Sequence, residues 1–446
     1  MKKNFRHVII ACFLLGIGFT SCSKDSENPE GSKDVAYVNL SMIMPLSDAE
    51  SAKSEKSFST KTRTATAAES KVNSIDVLIY TQYGTFQSHN RFESTDFTDK
   101  GDGTYGINNE IESTVGEKII LVGVNLPAEI AESVEGLAYK DFNAKSQTFS
   151  KATIATLANG LPMFSKVAKK QTLVKEATNS VEVNVERMVA KITVEKASDM
   201  TMGIADGTLG QLQFAIQNFN TKQYLLPHDL NVDPNWKLDD YLSNDFISVN
   251  AITDYVNVSE AGTSLADLKT IYASENTSEG KRKKEITYAT VRATFVPKEV
   301  LVYANGTDNQ NGYKKITNTE SSAKTFYMLV QASLGQFYTY DKTFAEAVAV
   351  ENGLTAASVI TYTGGYCYWY LWLNKNSSQG EARWDIIRNN FQRCTIQGIT
   401  TIGRPKEIVN DPVELEKTPE DEASIIVLIN VLDWNTAIED DYILGN

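Results

Sequence analysis

Short runs in which apolar and polar residues alternate recur along the chain, and they predict strands. Val38, Leu40, Met42 and Met44 share one face of the first clear run, with Asn39 and Ser41 opposite. Ile75, Val77 and Ile79 alternate in the next, which ends in a turn at Gly84. Val181, Val183 and Val185 alternate with Glu182, Asn184 and Glu186, and the run continues from Arg187 through Val194. Such alternation puts successive side chains on opposite faces of an extended chain, so one face can be buried while the other stays wet. Lys118 to Val124 reads as a near-continuous apolar strand, while Pro127 to Glu135 and Phe344 to Asn352 are the best helical segments. The strands recur at roughly ten-residue spacing with Gly, Asn and Asp between them, which predicts an all-β protein of two tandem antiparallel β-sandwich domains with a few short helices.

The domain boundary is expected near Val185 to Val194. Residues 405–423, from Pro405 to Ala423, are acidic and proline-punctuated without a periodic pattern, and read as an extended tether. Beyond the tether come Ile425 to Trp434, apolar on both faces, and the shorter Ile438 to Leu444.

The N-terminus has a different pattern. Lys2, Lys3 and Arg6 precede an apolar stretch from Val8 to Phe19, broken by Gly16 and Gly18, which is the layout of a secretory signal. It ends in Phe19-Thr20-Ser21-Cys22, which resembles a bacterial lipobox, and a polar Ser-Lys-Asp-Ser-Glu-Asn stretch follows. Residues 1–21 are therefore expected to be removed and Cys22 to be acylated. Its lipid chains would anchor the precursor to a membrane with the polypeptide outside the cytoplasm. An ordinary signal peptide containing a cysteine is the alternative.

Charge and composition narrow the function. A hydrophobic share of 42% and a charged share of 22% are those of a globular chain. A formal net charge of −13 argues against a nucleic-acid partner. The basic run Lys281-Arg282-Lys283-Lys284 is bracketed by Glu279 and Glu285 and reads as a solvated loop. Beyond Cys22 only Cys367 and Cys394 remain in the exported part, and their spacing leaves a disulfide open.

No catalytic constellation emerges. Of three histidines only His89 and His228 lie beyond the signal, and no HExxH, GxSxG or P-loop pattern is present. No metal, cofactor or enzymatic activity is expected. Gly101-Asp102-Gly103-Thr104-Tyr105-Gly106 spells the dinucleotide fingerprint, but no helix follows and its composition is that of a hairpin turn. From Tyr366 to Trp372 aromatics occupy alternate positions. An exposed aromatic face would suit sugars, whereas a strand this apolar on both faces reads as core.

Several local patterns together resemble a known family. They are the lipobox followed by a strand and the stretch Lys61-Thr62-Arg63-Thr64-Ala65; Val185-Glu186-Arg187-Met188-Val189-Ala190-Lys191-Ile192; Tyr362-Thr363-Gly364-Gly365-Tyr366-Cys367-Tyr368-Trp369; Arg388-Asn389-Asn390-Phe391; and Val431-Leu432-Asp433-Trp434. In this order, spanning nearly the whole chain, they resemble the Bacteroidetes-type fimbrillins, the type V pilins, and among them the minor-fimbria shaft group. The resemblance implies transthyretin-like sandwich domains and a cell-surface pilus subunit exported as an outer-membrane lipoprotein. It also implies cleavage by a trypsin-like protease after an arginine, here Arg63 before Thr64, with Lys53, Lys56 and Lys61 as nearby alternatives.

On this reading residues 22–63 form a lipidated propeptide whose strand offers Val38, Leu40, Met42 and Met44. Residues 64–185 and 186–446 form the two domains, and 425–446 form a donor strand. The donor offers Ile425, Val427, Ile429 and Val431 at the same period, closed by Trp434, and would enter the groove of another copy of the chain. Further partners would be tip and anchor subunits of the fimbria. The rivals are a non-polymerising tip or anchor subunit and a glycan-binding surface lipoprotein.

Overall fold

The computed structural model describes residues 34–44, 65–101, 103–149, 160–175, 177–236, 246–247, 255–305, 308–331, 335–375, 383–420 and 425–433. Cys22, Arg63, Thr64 and Trp434, and with them the lipidation and cleavage expectations, lie outside these residues.

The N-terminal half builds one ten-stranded sheet. Its strands are β1 (Val35–Ile43), β2 (Ser74–Thr81), β3 (Phe86–Glu93), β4 (Phe97–Asp99), β5 (Thr104–Ile107), β6 (Ile111–Thr114), β7 (Gly116–Val124), β8 (Met163–Ser165), β9 (Lys169–Leu173) and β10 (Thr178–Arg187). The path through it runs β3-β2-β7-β8-β10-β1-β5-β4, with β6 added to β1 and β9 to β7.

Period two sorts the central strands into two cores. Ile75, Val77 and Ile79 of β2 and Ile120, Val122 and Val124 of β7 join the cluster that holds β1. Leu78, Tyr80, Ile119 and Leu121, on the opposite face, join the largest cluster of the molecule. Burial on both faces explains why β7 is apolar without interruption. Helices α1 (Ala128–Ser133) and α2 (Tyr139–Ala144) help cover that second face through Ile130, Ala131 and Phe142.

The apolar run from Val181 to Val194 is two strands rather than one. β10 ends at Arg187 and β11 (Val189–Met202) starts a different sheet, with Met188 fully buried at the junction. In the second half β11 is flanked by β13 (Ser259–Glu260) and β14 (Thr270–Ser274) on one side and β17 (Asn390–Ile399) on the other. The last strand, β18 (Ile425–Asp433), lies at the edge beyond β17. A further sheet centres on β15 (Tyr288–Pro297), between β12 (Gln213–Gln217) and β16 (Tyr366–Leu371). Helix α3 (Lys342–Glu351) is capped by Asp341, which accepts from the Phe344 amide, and it buries Phe344 and Val348 in a small separate core.

The all-β architecture with few short helices holds, but its pairing is mixed. β1 runs parallel to β10, and β11 runs parallel to both β13 and β17. The glycine-rich segment from Gly101 joins β4 to β5 as a hairpin, with Gly101 and Gly103 at φ +80° and +82°.

Candidate functional site: the first and the last strand

β1 is an inserted strand. On one edge it pairs in parallel with β10, from Tyr37 opposite Thr178 to Ile43 opposite Asn184. On the other it pairs antiparallel with β5, Met42 opposite Tyr105, and with β6, Val38 opposite Ile111. Both rows of its backbone groups are thus used. Val38, Leu40 and Met42, with Met44 just beyond the strand, are at most 4% exposed, and Ala36 joins them, whereas Tyr37 and Asn39 face solvent. The alternation that predicted the strand reports this division.

The residues around β1 describe what its removal would leave. The walls are the free edges of β10 and of β5 and β6, and the lining includes Val181, Val183, Tyr105, Ile107, Ile120 and Val122. Burying four side chains of this size is worth about 1.5–3 kcal/mol each, or roughly 6–12 kcal/mol together. Polar contacts fix the ends, with the Met44 amide donating to Gly103 O at 2.8 Å and Lys175 pairing with Asp34 at 3.0 Å. Asn179 Nδ2 also donates to Tyr37 O at 3.0 Å.

β18 is held on one side only. It pairs antiparallel with β17, from Ile399 opposite Ile425 to Asn390 opposite Asp433. Ile425 is buried and Val427 packs on the large core, while Ile426 is 48% exposed. Ile429 and Val431 stand opposite Cys394 and Gln392 in the register. The outer edge of β18 has no partner strand among the described residues, and such an edge is a template for further pairing.

The segment from Pro405 to Glu420 differs from the extended tether expected of it. It carries helix α4 (Pro412–Leu415) and is strapped to the body by the basic run, which is likewise not a solvated loop. Lys283 is 3% exposed and pairs with Glu414 at 3.0 Å. Arg282 and Lys284 both reach Glu416, at 3.2 and 2.6 Å, and the Lys283 and Lys284 amides donate to Lys417 O and Leu415 O. Hydrogen bonds from Lys417 and Lys283 push the Glu414 carboxyl down to about 2. Trp372 Nε1 donates to Glu420 O at 2.6 Å, and Tyr370 OH to Lys406 O at 2.9 Å. Two segments that lack periodicity thus complement each other in charge.

The remaining candidates are structural in placement. Trp369, Tyr370, Leu371 and Trp372 are nearly fully buried, while Tyr366 and Tyr368 are half-buried, with the Arg292 guanidinium 4.8 Å from the Tyr366 ring centroid; most of β16 is core rather than an open aromatic platform. Cys367 and Cys394 are free and buried, and burial pushes both thiols up to about 12. His89 bonds Asp76 at 2.9 Å, which raises its pKa, and His228 stacks on Tyr224. Among the described residues no group of three or more His, Cys, Asp or Glu side chains is placed to hold a metal.

Sequence reasoning missed a buried charged turn at Ala68–Ser70, where Glu69 pairs with Lys191 at 2.8 Å. The signal was present: Arg187 and Lys191 are cations inside an otherwise apolar run, and a buried cation requires a partner.

Comparisons with known proteins agree with the strand inventory. The family model of the major fimbrial subunit protein (FimA) matches residues 36–225, from β1 past the sheet junction. That of the major fimbrial subunit protein type IV, fimbrillin, C-terminal, matches residues 360–440, which include β16 to β18. The minor fimbrium subunit Mfa1 of Porphyromonas gingivalis is 23% identical over 90% of this chain and 87% of its own length. Among solved structures, one from Parabacteroides distasonis, described as a candidate cell adhesion protein, aligns with a TM-score of 0.51 at 14% identity. That alignment covers 90% of this chain and all of the other, and the likeness is one of fold. The chain belongs to the Bacteroidetes-type fimbrillins, and it is similar over nearly its whole length to a minor fimbrium subunit.

Proposed function

We propose that this protein is a shaft subunit of a cell-surface fimbria that serves adhesion, and that it polymerises by exchanging strands. It is exported as a lipoprotein precursor acylated at Cys22 and reaches the outer membrane. A trypsin-like protease cuts at Arg63–Thr64. β1 then leaves, and the C-terminal strand of a neighbouring copy, presenting Ile425, Val427, Ile429 and Val431, takes its place. Fimbrial anchor and tip subunits would terminate the polymer.

The observation that carries this reading is the position of β1. It lies mid-sheet, paired on both edges, parallel to a strand far along the chain, and joined to the rest only through residues beyond Met44. A strand so placed is bound much as a separate peptide would be, by main-chain pairing plus pockets for alternate side chains. A donor with the same period fits the same pockets without a change of register. The contact is head-to-tail, and a head-to-tail contact that does not close into a ring extends into a filament. While β1 stays in place it occupies the site, so the cut acts as the switch.

The pairing of β18 with β17 favours a second reading, in which the last strand stays at home and the chain is a tip or anchor subunit. Mild trypsin treatment of the purified precursor, followed by N-terminal mass analysis and denaturant-resistant ladders, separates the two. A Thr64 terminus with ladders forming only after the cut supports the shaft; clean cleavage leaving monomers supports the tip or anchor. Burial of Trp369 to Trp372 counts against a glycan-binding platform.

A further inference from the structure

The turn at Ala68–Ser70 lies directly C-terminal to the segment that carries the candidate cleavage bonds. Ala65 is fully buried in the large core, and Glu69 is 1% exposed. Four groups converge on the Glu69 carboxylate or its neighbours. Lys191 Nζ lies 2.8 and 3.0 Å from its two oxygens, and Tyr272 OH donates to Oε1 at 2.7 Å. The Thr66 amide donates to Oε2 at 2.6 Å. Arg187, itself fully buried, donates from Nε to Glu69 O at 3.3 Å and from Nη2 to Ser70 Oγ at 3.0 Å.

These partners come from both halves of the molecule. Arg187 ends β10, the wall of the β1 groove, whereas Lys191 is on β11 and Tyr272 on β14. Lys191 also lies over the Phe391 ring of β17, 4.9 Å from its centroid. Just after the turn, Asn125 accepts from the Asn73 amide at 2.8 Å and donates to Lys71 O at 2.8 Å. The chain is therefore gripped from Ala65 to Asn73. A buried ion pair satisfied on this many sides is hard to open, because parting it strands a charge in an apolar interior.

We propose that the Glu69 turn is a fixed stop that sets how much of the chain leaves on processing, with Arg187, Lys191 and Tyr272 as its positioning residues. Everything before Ala65, β1 included, is releasable once the chain is cut; everything from Ala65 onward stays docked across the junction of the two halves. Two consequences follow. Cuts after Lys53, Lys56, Lys61 or Arg63 all leave the same folded remainder, so the exact bond is immaterial. Lys71, exposed and chemically as good a trypsin site as any, is spared because its flanks are pinned.

The inference rests on the processing step proposed above, and it is tested separately from assembly. Full-length precursor is treated with trypsin, and the N-terminus of the stable product is read by mass over time. Wild-type chain should stop at a terminus before Ala65, and an Arg63→Gln variant should stop after Lys61 and assemble equally well. A Glu69→Gln/Lys191→Met pair removes both charges of the ion pair together, so neither is left unpaired, while Arg187 keeps its bonds to Glu69 O and Ser70 Oγ; it should keep the melting temperature close to wild type. Its product should nevertheless shift to Val72, with cleavage after Lys71 faster by about tenfold or more, since local opening controls that cut. Tyr272→Phe, which removes one bond only, should give a smaller acceleration in the same place. Equal rates after Lys71 in wild type and both variants would overturn the stop, as would assembly that requires Arg63 itself. Wild type that stops before Ala65 yet never forms ladders would refute the assembly reading and leave the stop intact.

Discussion

β1 and β18 are each nine residues long and both carry apolar side chains at alternate positions, yet the fold treats them differently. β1 is enclosed by strands on both edges and by one core beneath it, although it is tied to the remainder by a single chain connection. β18 is tied by the strapped segment before it, rests Ile425 and Val427 on the large core, and among the described residues pairs only with β17, along one edge. Of the two, the strand held more strongly by packing is the one that the proposed cut would free. The strand proposed to replace it holds the weaker position. Exchange in this order can run downhill, because the incoming strand gives up one ladder and gains two.

The largest expected effect follows from breaking the β1 side. Leu40→Ala in the precursor should cost about 2–5 kcal/mol, read by denaturant or thermal melting, because a cavity opens in a closed core. The same change should leave fibres from cut subunits unaltered, since β1 is then gone. A Leu40→Ala fibre as weakened as its precursor would mean that β1 stays.

On the β18 side, Val427→Asp with Ile429→Asp should lower precursor stability far less than Leu40→Ala and yet abolish ladders after the cut. Ladders of normal length from that variant would remove the C-terminal strand from the mechanism.

The strap should give a smaller effect. Glu414 has a carboxyl pKa depressed to about 2, so its contribution is present above the ordinary carboxylate value and is lost as pH falls through about 2. Protection of the amides of residues 404–420, taken relative to their intrinsic exchange rates at each pH, should therefore fall between pH 5 and pH 2, and Glu414→Gln should reproduce part of that loss at neutral pH. Exchange insensitive to both would show that the ion pairs do not hold the segment.

The smallest signal should come from Cys394, which stands opposite Ile429 in the register. Its alkylation at pH 8 should be slow in the precursor and should rise on assembly relative to Cys367, which lies on β16 away from that pair. Equal slow labelling of both thiols in fibres would argue that β18 never leaves β17.

How far the sequence foretold all this depends on the kind of signal. The face of β1 was legible because Tyr37 and Asn39 are wet while Val38, Leu40 and Met42 are dry, and period two records that contrast directly. Its neighbours were not legible, because a parallel partner far along the chain leaves no local trace. The break at Met188 was hidden for a related reason: both flanks are buried, so hydrophobicity continues across a change of sheet. The basic run reads as a solvated loop and the acidic segment as an extended tether because charge complementarity between distant segments has no periodicity. Glu69 was invisible by itself, but Arg187 and Lys191 within an apolar run called for an acid. The aromatic strand from Tyr366 reads as core because it is apolar on both faces, which holds for Trp369 to Leu371, whereas Tyr366 and Tyr368 are half-buried.

The central claim is that β1 departs and a neighbour's last strand replaces it. Hydrogen-exchange mass spectrometry on fibres grown from trypsin-cut subunits tests it directly, since one peptide map reports both strands. The account predicts that peptides covering 34–44 are absent from washed fibres and that 425–433 is more protected there than in the uncut precursor. Fibres that retain 34–44 with full protection, and 425–433 no better protected than before, would contradict it.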